Sequence, residues 1–86
     1  MEWTYPTHAL IRMKERGISK SDVENAYKSP DKVEHSLKEK ARFLIKKIYF
    51  NKLLLRDHLL MVVCKRSEKG VTIITVIDTS KISKYF

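Results

Sequence analysis

His8, Arg12 and Arg16 recur at steps of four in the stretch THALIRMKERG, so a helix there would stack an imidazole and two guanidinium groups along one side. Further along the chain come Lys46 and Lys47, Lys65 and Arg66, and a tail holding Lys81, Lys84 and Tyr85. Such a set suits one reaction that needs no metal: cleavage of RNA by attack of its own 2′-hydroxyl on the adjacent phosphate. That reaction requires a base, an acid and cations for the charge growing on phosphorus, and His, Lys, Tyr and Arg supply all three. The catalytic candidates are therefore His8, Arg16, Lys47, Lys84 and Tyr85, with Arg12, Lys46, Lys65, Arg66 and Lys81 as nucleic-acid-binding residues.

Other chemistries drop out. With two glycines, one cysteine and no His-Glu-x-x-His, the sequence has no phosphate loop, paired-cysteine site or zinc-hydrolase motif. No acidic cluster suggests a two-metal nuclease, so neither a metal nor a cofactor is expected. Each candidate also has a plainer reading. His8 stands close enough to a helix start to cap it or to pack on a neighbouring sheet, and Arg16 can simply meet the negative end of its helix. His35 and His58 read as structural, Cys64 as a small core residue, and Trp3, Phe43 and Tyr49 as core aromatics rather than base-stacking platforms.

The elements that must position these residues follow from periodicity. Pro6 and Thr7 open a first helix that ends at Gly17, with Ala9, Leu10 and Met13 on one side. Ser19 is placed to cap a second helix, with Asp22 at N3 and Ile18 able to staple onto Val23, and Pro30 ends it. The two helices are expected to form a hairpin. From Asp31 the period changes to two. Four antiparallel strands are predicted, one around Val33 to Leu37, then Arg42 to Phe50, His58 to Arg66 and Val71 to Asp78, with a bulged hairpin at Ser67 to Gly70. Lys46 and Lys47 fall on opposite faces of their strand. Because the last two strands are apolar on both faces, the second face should also be covered, by a partner, a second copy or the C-terminal tail.

Length and charge set the wider bounds. Residues 1–86 suffice for one domain with one modest core. The net charge is +8, but residues 1–40 hold eight basic and seven acidic side chains while residues 41–86 hold ten and three, so the excess lies in the strand half. A polyanion is the matching partner. The longest apolar run, Leu59 to Cys64, is far short of the ~20 residues that span a bilayer, and with a single cysteine the expectation is a cytoplasmic protein without a membrane partner.

The segment from His8 to Val23, HALIRMKERGISKSDV, followed by Pro30 and by LLMVV and IITVIDTSKISKY, resembles a family of small domains of unknown function grouped with the RelE/ParE toxin superfamily. The resemblance spans nearly the whole chain. It implies an α+β fold, an N-terminal two-helix hairpin packed on a curved four-stranded antiparallel sheet. RelE-like members are ribonucleases that cut mRNA on the ribosome with lysines, arginines and a C-terminal tyrosine, and a small antitoxin neutralises them; ParE-like members instead poison gyrase and lack that residue set. By strand order, Lys46 or Lys47, Lys65 or Arg66, and Lys81, Lys84 or Tyr85 stand for the ribonuclease set, while His8 and Arg16 belong to the smaller family's own signature. The expectation is a toxin-like RNA-binding protein, a metal-independent endoribonuclease in its strongest form, with RNA or the ribosome, an antitoxin or a second copy as partners. Its rival is a non-catalytic module that binds protein or nucleic acid.

Overall fold

A computed structural model describes all residues from Met1 to Phe86. Its elements in chain order are β1 (Glu2–Thr4), α1 (Thr7–Arg16), α2 (Lys20–Lys28), β2 (Lys32–His35), β3 (Arg42–Asn51), β4 (Arg56–Arg66), β5 (Gly70–Thr79) and a short α3 (Ile82–Tyr85). The fold is α+β, with one mixed sheet in the order β1-β5-β4-β3-β2. Strands β2 to β5 form an antiparallel meander. The expected four-stranded antiparallel sheet is thus corrected to five strands, because β1 adds to β5 in parallel, Trp3 beside Val71. Gly70 permits this. A Cβ there would collide with the backbone of Glu2, whose N–H donates to the Lys69 carbonyl at 3.0 Å.

The helices start and stop where local chemistry dictates. Gly17 takes the left-handed conformation (φ 69°), and Ile18 N–H closes the helix end onto the Met13 carbonyl at 2.8 Å. The Ser19 hydroxyl accepts from Asp22 N–H at 3.0 Å while the Asp22 carboxylate accepts from Ser19 N–H at 2.9 Å, a reciprocal cap. The expected hairpin packed as a unit is also corrected. Helix α1 lies on β5 and α2 on β3 and β4, and Ile18 in their connector is buried in the core that both helices share. Ala9, Met13, Val23 and Ala26 meet Ile45, Leu60, Val62, Cys64, Ile73 and Val76 in that core.

The opposite face of the sheet is covered by the chain's own tail. Helix α3 packs on β4, beneath it Leu59 and Met61 are buried, and the Lys46 ammonium donates to the Tyr85 carbonyl. Lys32 reaches the Phe86 carbonyl at 2.8 Å. Of the three covers the sequence allows, the tail takes this central part, and Ile48, Phe50 and Ile77 stay exposed beside it. No helix is long and apolar enough to cross a membrane.

Candidate nucleic-acid interface

The connection from β2 to β3 and the hairpin from β4 to β5 meet at one end of the sheet. Register brings them together: Arg42 stands opposite Lys65, and Arg66 N–H donates to the Ala41 carbonyl at 2.9 Å. Residues 36–42 and 65–70 contain six basic side chains, Lys38, Lys40, Arg42, Lys65, Arg66 and Lys69, against Glu39 and Glu68. Glu39 is held by Lys65 at 2.7 Å and Arg42 at 3.2 Å. The Lys65 hydrogen bond, and after it the charge of Arg42, keeps that carboxyl below its ordinary pKa, so it stays ionised and orients both cations.

Beneath these charges runs a row of aromatic rings from separate elements. Trp3 of β1 meets Tyr27 of α2 edge-on at 5.1 Å, Tyr27 lies 6.1 Å from Phe43 of β3, and Phe43 lies 6.0 Å from His35 of β2. The Arg66 guanidinium stands 5.1 Å from the Phe43 ring centre and 5.9 Å from that of Tyr27. Both distances fall within cation–π range. Phe43 is buried and cannot itself receive a base, whereas His35 and Arg66 are exposed. Together with Lys40, Ser67 and Glu68 they line an open concavity of about 470 Å³. Two flat groups, an imidazole and a guanidinium, are thus fixed on an aromatic floor with Lys40 at the rim. That arrangement can stack a nucleobase and hold its phosphates.

The residues singled out in the sequence are distributed differently. Only Lys65 and Arg66 reach this end. His8 uses Nε2 to donate to the Ile74 carbonyl at 2.6 Å. Ile74 is the extra residue where the β4–β5 register shifts between Val63 and Cys64, so no strand neighbour pairs with it, and His8 braces α1 onto the bulge. Arg12 is exposed beside His8 and Glu15 on α1. The Arg16 side chain is exposed as well, while its carbonyl accepts from the Asn51 amide at 3.3 Å. Lys47 pairs with Asp31 at 3.6 Å. Lys46, expected to bind phosphate, is buried under the tail with Glu34 at 3.3 Å, and Lys84 and Tyr85 lie in α3 on that same side. Lys81 stands at the start of α3.

His8, Arg16, Lys47, Lys84 and Tyr85 therefore come from α1, β3 and the tail, and Lys47 projects from the sheet face opposite to the one α3 covers. The structure joins none of the five to another in a hydrogen bond. What sequence reasoning missed is His35, Lys40 and Tyr27. The available signal was the pairing of Phe43 with His35 on one side and with Cys64, next to Lys65 and Arg66, on the other.

Comparison with known proteins gives one match over most of the chain. Residues 5–78 fit the sequence model of a family described as a domain of unknown function, DUF4258. No curated protein and no solved structure gives a match.

Proposed function

The chain belongs to the DUF4258 family, and we propose that it is a single-stranded-RNA-binding domain of the toxin-like kind implied by its resemblance to RelE/ParE proteins, gripping its ligand at the cationic end of the sheet. One observation carries this reading: the exposed Arg66 guanidinium fixed over Phe43 and Tyr27, with His35 beside the same ring, in an open concavity that Lys40 and Glu68 also line. Stacking on such groups tolerates any base, and the surrounding charge supplies an affinity that depends on salt. The catalytic form of the proposal has less support. Proton transfer needs groups within about 3 Å of one another's substrate atoms, and the five expected catalytic side chains are spread over two faces of the sheet. Binding without turnover is the reading the geometry favours.

The test is fluorescence anisotropy with a labelled single-stranded RNA of about 10 nucleotides in EDTA, followed by recovery of the RNA. Intact RNA and saturable binding are expected, with Arg66→Ala weakening affinity about tenfold, equivalent to one stacked base. Lys84→Ala with Tyr85→Ala should change it little. Absence of binding at about 50 mM salt would overturn the proposal, as would an Arg66→Ala protein that binds like the parent. Cleavage to 2′,3′-cyclic ends would restore the catalytic form.

A further inference from the structure

At the other end of β4 lies a polar arrangement that the RNA interface does not use. His58 is buried, and its Nδ1 lies 2.9 Å from one oxygen of the equally buried Asp78 carboxylate. The other Asp78 oxygen accepts from the Tyr49 hydroxyl at 2.6 Å, and that hydroxyl accepts from the Asn51 amide at 2.9 Å. With Asp78 as the acceptor, Nδ1 carries the proton shared between them. The imidazole is thereby fixed in orientation and tautomer. Its remaining nitrogen, Nε2, is buried and has no hydrogen-bond partner among the protein's groups. Buried polar atoms in folded proteins are rarely left so, and each such case calls for a cause.

His58 lines a cavity of about 320 Å³ together with Arg56, Ser80 and Leu54. No carboxylate lines it. Asp57, the nearest acidic residue in sequence, alternates to the other face of β4 opposite Phe50. The wall is held by the same network as the floor, since Asn51 Oδ1 accepts from the N–H groups of Leu53 and Leu54, each at 3.0 Å. Leu55, next in that turn, is the one non-glycine residue with positive φ, at 55°. A branched side chain in the left-handed region is costly, and such strain tends to persist where a loop is shaped for a ligand.

We propose that this cavity binds a phosphate monoester or inorganic phosphate, with Arg56 holding the anionic oxygens, the Ser80 hydroxyl donating to one of them, and His58 Nε2 hydrogen-bonded to another. Phosphate suits the imidazole in either charge state. A neutral Nε2 accepts from a protonated phosphate oxygen, and an imidazolium donates to an unprotonated one. With its second pKa near 6, phosphate offers both kinds of oxygen close to neutral pH. Sulfate offers only acceptors. The site is separate from the RNA interface, because His58 and Arg66 are eight residues apart along β4, or about 26 Å, and it stands or falls independently of that interface.

The test follows the ring nitrogens of His58 by NMR in the full chain labelled with 15N-histidine, titrated with inorganic phosphate, a nucleoside 5′-monophosphate or sulfate. Phosphate should move the Nε2 resonance saturably, at least fivefold more tightly than sulfate. Tighter binding of the mononucleotide would assign the site to an ester, and tighter binding of inorganic phosphate to the free anion. Arg56 is exposed, so Arg56→Ala should fold normally and weaken binding at least fivefold, whereas Arg66→Ala should leave it unchanged. An Nε2 resonance that does not move with phosphate, a response undiminished in Arg56→Ala, or equal response to sulfate would overturn the proposal.

Discussion

Single residues in this fold show how one side-chain type can serve as scaffold or as site depending on its partner. His8 is spent on an unpaired bulge carbonyl, and Lys46 on a tail carbonyl and Glu34, whereas Arg66 keeps its donors toward solvent while its planar face rests on rings. The position of Arg66 was legible in the sequence, because a basic pair ending an apolar strand must emerge at a sheet end. Sequence alone could not separate His8 from a catalytic base, since the bulge at Ile74 depends on pairing between distant segments. Cys64 gives a residue-scale prediction. Burial pushes its thiol up from 9.0 to about 11, against the opposing charge of Arg66. Below pH 9 the thiol is protonated whether the chain is folded or not, so its contribution to stability is complete there. Between pH 9 and about 11 only the unfolded thiol ionises, and stability must fall as pH rises through that window. Tyr5 and Tyr49, both raised above the ordinary 10.0 first by burial and then by donating to Glu24 and Asp78, extend the fall further upward. Urea midpoints measured across this range should decline from about pH 9 in the parent, and the onset should shift upward in Cys64→Ala.

At the scale of elements, what was legible was local and what was missed was not. The Ser19 and Asp22 cap, the Gly17 helix end and the β4–β5 hairpin rest on residues within a few positions of each other, and sequence spacing predicts all three. Strand β1 is three residues long with no room for alternation, and its parallel partner lies at the far end of the chain, held in place by a glycine. The four-residue α3 is too short to show a helical period. The His58–Asp78 pair left a faint trace, a carboxylate at an inward position of the apolar run TVIDT, which strand alternation alone would have marked as buried. Gly70 supplies the prediction at this scale. A methyl group there would strike the Glu2 backbone, so Gly70→Ala should push β1 from the sheet edge and destabilise the fold by about 1–3 kcal/mol. Hydrogen exchange would read this directly: protection should fall at Glu2 and at the β5 amides facing β1, while β3 and β4 keep theirs. Uniform protection across all strands would show that β1 docks without needing a bare backbone.

For the whole molecule, the net charge of +8 matters less than where the sheet sends it. Ion pairs with Asp31, Glu34 and Glu39 engage Lys47, Lys46, Lys32, Lys65 and Arg42, yet the end carrying Arg66, Lys40, Lys38 and Lys69 retains its excess. At that end Arg66 stands over the linked rings of Phe43 and Tyr27, whereas on the tail side Lys32 and Lys84 each stand over one ring, of Phe86 and Tyr85. The most direct measurement is the salt dependence of single-stranded RNA affinity for the parent, Arg66→Ala and Lys84→Ala proteins. Each phosphate neutralised contributes about −0.7 to the slope of log K against log salt. The account predicts that Arg66→Ala makes the slope shallower by about one such increment and that Lys84→Ala leaves it unaltered. A slope indifferent to Arg66 but reduced by loss of Lys84 would contradict it and return the RNA to the tail.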